Sequence, residues 1–128
     1  MPHLVPPKNL FCLIEALIDK RPARLSMDHF HEVHGREAVT CIDIRNPDAK
    51  HCLFGWVIAL TEGAPREEPH RYRGGQDPVD FANEILVRSG RMPILTKAAF
   101  GSRDQALTII RHRAAHERAE MGVRSAAH

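Results

Sequence analysis

The apolar positions of this chain form three helix-like stripes, one continuous apolar block and one short alternating stretch. In "PKNLFCLIEALIDKR", Leu10, Leu13, Ile14, Leu17 and Ile18 recur at helical spacing with Phe11 on the stripe's edge. That spacing predicts an amphipathic helix, with Cys12 almost opposite the stripe and Pro22 ending it. Residues 23–36, "ARLSMDHFHEVHGR", show no clear period; Ser26 or Asp28 suits a turn and Gly35 a stop. "EAVTCIDI" at 37–44 alternates and is rich in β-branched residues. A short strand is expected there, with "HLV" near the start or "MPIL" at 92–95 as its partner in a minor hairpin.

The block "NPDAKHCLFGWVIALTEG" predicts a helix over 47–62. Asn46 suits its N-cap, Pro47 its first position, Asp48 the positive end of its dipole and Gly63 its stop. Every position from Cys52 to Leu60 is apolar or glycine, so this helix should be buried on all sides. A polar loop with two prolines and a Gly-Gly pair follows at 64–76. Asp77 and Pro78 then open a helix through "VDFANEILVRSG", with Phe81, Ile85 and Leu86 inward and Gly90 as its stop. Ser102 with Gln105 forms a capping box for the last helix, whose stripe is Leu107, Ile110, Ala114 and Met121. The expected architecture is mainly α: a single-domain bundle of about four helices over 1–128, frayed beyond about 121, with at most a short β-hairpin.

Composition narrows the class further. Hydrophobic residues make up 43% and charged residues 27% of 128, an ordinary globular balance in one domain's length. The net charge of +2 argues against nucleic acid as the partner, since phosphate neutralisation needs clustered Lys and Arg. Nine histidines would add nine charges on full protonation, so acid would alter the surface strongly. Three cysteines, an odd number, and a start with no secretory pattern lead to the expectation of a reducing, cytoplasmic setting. The apolar run at 10–18 is interrupted by Glu15 and is too short to span a bilayer, so no membrane partner is expected.

Cys52, Gly55, Trp56 and Ala59 share one side of the central helix. Cysteine often serves as a small buried hydrophobe, and small residues four apart admit a close neighbour. Packing therefore accounts for this cluster, and no cofactor is expected. The rival reading is zinc on Cys41, His51 and Cys52 with one of His29, His31 or His34, a mixed sulfur and nitrogen set. It lacks the paired ligand spacing of familiar zinc sites. A third reading is a cysteine-dependent enzyme with Cys52 as nucleophile and His51 as base, although helix neighbours do not face each other. "HRAAH" sets His112 and His116 four apart without the zincin glutamate. The loop residues Arg66, Arg71, Tyr72 and Arg73, with the histidines of 29–34, are the expected partner-binding surface.

"SMDHF" (Met27, Phe30) ahead of "HCLFGWVIAL" (Cys52, Gly55, Trp56) resembles a group of small bacterial and phage proteins of unassigned function. In these a Met-x-x-aromatic segment precedes a Cys-x-x-Gly-Trp helix. The later "FANEILVRSG" and "KAAFGSRDQALTIIRH" follow the same pattern, so the resemblance spans about 26–113. The chain departs from it with Phe54 at a usually small position and with extra residues between Cys41 and Cys52. The resemblance implies a compact helical fold and a mobile-element origin, and it implies no substrate. The expected function is a non-catalytic protein-binding or adaptor role, as of a phage or mobile-element accessory protein acting on a host protein.

Overall fold

The computed structural model describes residues 5–33, 36–37, 47–61 and 78–126. Among them lie four α-helices: α1 (Leu10–Lys20), α2 (Leu53–Ala59), α3 (Pro78–Arg88) and α4 (Arg103–Ala126). Short 3-10 turns cover Pro22–Arg24 and Thr96–Phe100. Three short strands, β1 (His31–Val33), β2 (Arg36–Glu37) and β3 (Lys50–His51), form an antiparallel sheet in the order β2-β1-β3. The fold is mainly α with a minor sheet. No described helix is long and apolar enough to cross a membrane.

α1 buries Leu10, Phe11, Ile14 and Ile18. The expected Leu13 is exposed and Phe11, placed on the stripe's edge, is fully enclosed. The rotation has a cause: α4 runs antiparallel along the side of α1 that carries Cys12, Glu15 and Asp19. The Cys12 thiol donates to the Ala114 carbonyl at 3.3 Å. Arg118 holds Glu15 at 2.8 Å, and Arg111 holds Glu15 at 3.2 Å and Asp19 at 2.9 Å. A polar stripe that reads as a solvent face is thus a helix–helix contact.

The N-terminus of α1 is capped from a distance. Asn9 makes no side-chain cap. Instead Glu117 of α4, itself buried, accepts the Phe11 N–H at 3.0 Å and the Cys12 N–H at 2.9 Å. A carboxylate on two orphan amides at the positive end of the helix dipole combines charge-assisted hydrogen bonding with dipole stabilisation. Arg91 closes the arrangement, donating to the Pro7 and Lys8 carbonyls at 2.9 and 3.0 Å and approaching Glu117 at 3.5 Å.

Arg91 reaches that place because α3 ends as expected at Gly90, whose φ of +82° favours a residue without Cβ. The Arg91 N–H returns to the Leu86 carbonyl at 2.8 Å and the Gly90 N–H to Val87 at 3.0 Å, a Schellman closure. Asn83 then pins the following link by exchanging two 2.8 Å bonds with the Ile94 backbone. Phe81, Ile85 and Leu86 face the core as expected.

The capping box of α4 is present: the Ser102 N–H donates to Gln105 Oε1 at 3.0 Å and the Gln105 N–H to Ser102 Oγ at 3.2 Å. Its inward residues are Ala106, Ile110, Ala114 and Glu117, whereas Met121 is exposed and the helix continues to Ala126.

The central block differs most from expectation. Pro47 and Asp48 form a turn, Lys50 and His51 form β3, and the helix starts only at Leu53 with Cys52 as its N-cap. An unbroken apolar run has no period to mark where the helix begins, and pairing with β1 takes its first residues. Leu53 to Ile58 are buried on every side, as expected. α2 closes with Leu60 as C-cap and Thr61 Oγ1 donating to the Val57 carbonyl at 2.6 Å. Asn46 and Gly63 lie outside the described residues. Of the expected 37–44 strand only Glu37 is described, and it pairs with Glu32 of β1; the remainder, and so the expected pairing with 3–5 or 92–95, lies outside the described residues.

Removal of the buried cap tests the α1–α4 contact. Glu117→Ala should lower unfolding free energy by about 2 kcal/mol, because one buried and one part-buried amide lose their acceptor. Glu117→Gln, which keeps one acceptor oxygen, should lose less; urea midpoints give the comparison.

Candidate functional site

The residues with chemical potential meet where β1, β3 and the first turn of α2 come together. Antiparallel pairing puts His31 directly opposite His51, and strand alternation sends both side chains to the same, inner face. Their rings meet edge to face, with Nδ1 of each 2.8 Å from Nδ1 of the other. A contact of that kind carries one proton: one imidazole donates from Nδ1–H and the other accepts with its lone pair. His51 in turn stands edge-on to Trp56, ring centroids 4.6 Å apart.

Trp56 is held on its other sides by the 3-10 turn at 22–24. Its indole N–H donates to the Arg24 carbonyl at 3.3 Å, and the Arg24 guanidinium lies 4.9 Å from the ring centroid. Arg24 Nε donates to the Ala49 carbonyl at 3.0 Å, tying this turn to the approach of β3. The Ser26 N–H donates to the His51 carbonyl at 3.2 Å.

One backbone carbonyl organises the junction. Phe30 O accepts the Cys52 N–H at 3.2 Å, and the Gly55 backbone packs directly against it. Any Cβ at position 55 would overlap Phe30 O. Gly55 is therefore required by close approach between helix and strand. Cys52 adopts extended backbone and its sulfur accepts the Gly55 N–H at 3.4 Å, the geometry of an N-cap with sulfur in place of oxygen.

Burial sets the protonation of the site. Cys52 is 4% exposed, and desolvation pushes its thiol up to about 11 despite backbone N–H donors that favour the thiolate. His31, 2% exposed, is pushed down to about 4 by desolvation. His51 is 1% exposed and is lowered well below its ordinary value by desolvation, then by the charges His31 and Arg24 would oppose to it. At neutral pH the junction holds two neutral imidazoles and a protonated thiol. The thiol is therefore in its non-nucleophilic form, and the two imidazoles, although neutral, are buried away from solvent.

Several expected site residues find other roles. His31, expected on a partner-binding surface, lies in the core because strand alternation turns it inward. His29 is half-buried. His34, Cys41, Arg66, Arg71, Tyr72 and Arg73 lie outside the described residues. His51 and Cys52 are neighbours, but His51 Nδ1 is directed to His31. The 2.8 Å between the two Nδ1 atoms is a hydrogen-bond separation. Among the described residues no three His, Cys, Asp or Glu side chains converge as a metal site. His116 on the exposed face of α4 pairs with Glu120 at 3.1 Å. The His31–His51 contact escapes sequence inspection because twenty positions separate its members and no period marks either strand. No protein-family model, curated protein or solved structure matches the chain.

Two measurements test this junction. Gly55→Ala should destabilise by about 3 kcal/mol, the upper range for overpacking, whereas Gly122→Ala, in open space on α4, should gain about 0.5–1 kcal/mol. Iodoacetamide at pH 7.4 with mass mapping should modify Cys52 at least ~100-fold more slowly in native than in denatured protein, from suppressed ionisation alone.

Proposed function

We propose that this chain is a non-catalytic protein-binding or adaptor protein, an accessory of a phage or mobile element that acts on a host protein. The observation that carries this reading is the use of Cys52, His31 and His51 inside the core. Each of them is dry and bonded within the protein, which leaves the junction without an accessible nucleophile or base. The same burial weighs against the cysteine-enzyme alternative.

The surface offers a contact of the opposite character. Met92 and Leu95 are 76% and 68% exposed, yet the link that carries them is pinned from two sides. Asn83 holds Ile94, and Arg113 of α4 donates to the Met92 and Pro93 carbonyls at 2.6 and 3.1 Å. A held backbone spares a partner contact the cost of ordering the link, so only side-chain freedom is lost when these residues are covered. They extend the expected contact surface beyond 66–76 and His29. Cys12 and Cys52 are both free thiols, which accords with a reducing compartment, and we place the protein in the cytoplasm.

Capture from the source cell with wild type and a Met92→Asp/Leu95→Asp variant tests the reading. Wild type should retain one host protein at near-stoichiometric ratio, and the variant, at unchanged thermal midpoint, should bind it at least 10-fold more weakly. A turnover activity abolished by Cys52→Ala in folded protein would overturn the proposal.

A further inference from the structure

The corner where the chain enters α1 collects apolar side chains from separate parts of the sequence. Arg91 is its hub: it follows the end of α3, holds the Pro7 and Lys8 carbonyls and approaches Glu117 of α4. Around that hub stand Val5, two residues before Pro7, and Val87, in the last turn of α3. Met92 follows Arg91 directly, and Met121 lies one turn beyond Glu117 on α4. All four are large hydrophobic residues left exposed. Apolar side chains gathered at one place on the surface, within a polar rim, mark a contact site.

The charge at this corner is one-sided. Arg113 sets its guanidinium 5.4 Å from the Phe11 ring centroid and gives its hydrogen bonds to the Met92 and Pro93 carbonyls, which are neutral. Burial, and then the charge of Arg91, push it down. Lys8 is exposed beside the positive end of the α1 dipole, and Lys97 is exposed two residues past Leu95. The carboxylates on the adjoining turns are engaged elsewhere: Glu84 with Arg88 at 2.9 Å, Glu117 with Arg91 and two amides, Glu120 with His116 at 3.1 Å. Among the described residues, no ion pair neutralises Lys8, Lys97 or Arg113.

We propose, on the basis of the adaptor reading above, that this corner docks an acidic segment of the partner protein that also carries apolar side chains. Its carboxylates face Lys8, Lys97 and the Arg113 charge, and its apolar groups cover Val87, Met92 and Met121. Charge complementarity selects that occupant. A second copy placed face to face would bring like charges together. Nucleic acid would need a denser run of cations and exposed rings for stacking, whereas the exposed groups here are aliphatic or thioether. Thioethers adapt to apolar partners of different shape, and the charges around them fix which partner is admitted.

Selection from a random peptide library of about 12 residues per member on the immobilised full chain, followed by titration of the enriched peptides in solution, tests the proposal. Enriched peptides should combine Asp or Glu with Leu, Ile, Phe or Met, and should bind more weakly as salt rises from about 0.05 to about 0.3 M. Lys8→Glu and Lys97→Glu should each weaken binding ~5- to 10-fold, and Val87→Ser/Met92→Ser by a similar factor. Lys8→Glu places an acid at the positive end of the α1 dipole, so the fold is retained. Lys20→Glu makes the same charge change at the other end of α1 and should alter binding less than ~2-fold. Enrichment of neutral or basic peptides, no enrichment, or an equal loss with Lys20→Glu would overturn the proposal. So would a dimer that Val87→Ser/Met92→Ser dissolves, or binding to phosphatidylserine vesicles in place of peptide. Host-protein capture lost with Met92→Asp/Leu95→Asp but kept with Lys8→Glu and Lys97→Glu would overturn the acidic partner and leave the adaptor reading standing. A Cys52-dependent turnover would overturn the adaptor reading, and this proposal with it.

Discussion

The Phe30 carbonyl and the bare Cα of Gly55 meet in a contact on which the junction of sheet and helix depends. It allows α2 to lie against the chain entering β1 at a distance no side chain at 55 would permit. The same carbonyl accepts the Cys52 N–H. Residue 30 and residue 52 are thereby fixed together, and their neighbours His31 and His51 are brought face to face. Sulfur at position 52 completes the first turn of α2 by accepting the Gly55 N–H. A helix of seven residues has little stability of its own; this one persists because Leu53 to Ile58 are covered on every side.

The other half of the molecule depends on charge placed inside. Glu117 is a buried carboxylate whose cost is offset by two backbone donors and the α1 dipole. One turn before it, the Ala114 carbonyl accepts the Cys12 thiol, so α4 meets α1 at both positions. Arg111 and Arg118 add exposed pairs along the seam, which fix alignment more than they add stability. Both halves share one apolar cluster that includes Ile14, Trp56, Phe81 and Ile110, so the sheet junction and the helix pair are parts of one core.

What the sequence made legible follows from how local the signals are. Gly90, the Ser102–Gln105 box and the burial of 53–58 depend on residues within a few positions of each other, and each appears where local chemistry puts it. The packing role of Cys52, Gly55 and Trp56 was readable from residue type and spacing. The start of α2 was not, because an apolar run has no period and Pro47 with Asp48 mimics a helix start while forming a turn. β1 was hidden since a three-residue strand with two polar members, His31 and Glu32, has no recognisable alternation. Glu117 looked like one more charge on a solvated face; the two backbone amides it caps are more than a hundred positions away.

Among the described residues Cys52, His31 and His51 lie in the core, and the central claim is that the imidazole pair is sealed, neutral and internally bonded. Long-range nitrogen–proton NMR of the histidine side chains at pH 7 tests it most directly. The account predicts that one of His31 and His51 is the Nδ1–H tautomer and the other the Nε2–H tautomer, both uncharged. Two rings averaging between tautomers and titrating near pH 6.5, or nitrogen shifts of metal-bound imidazole, would contradict it.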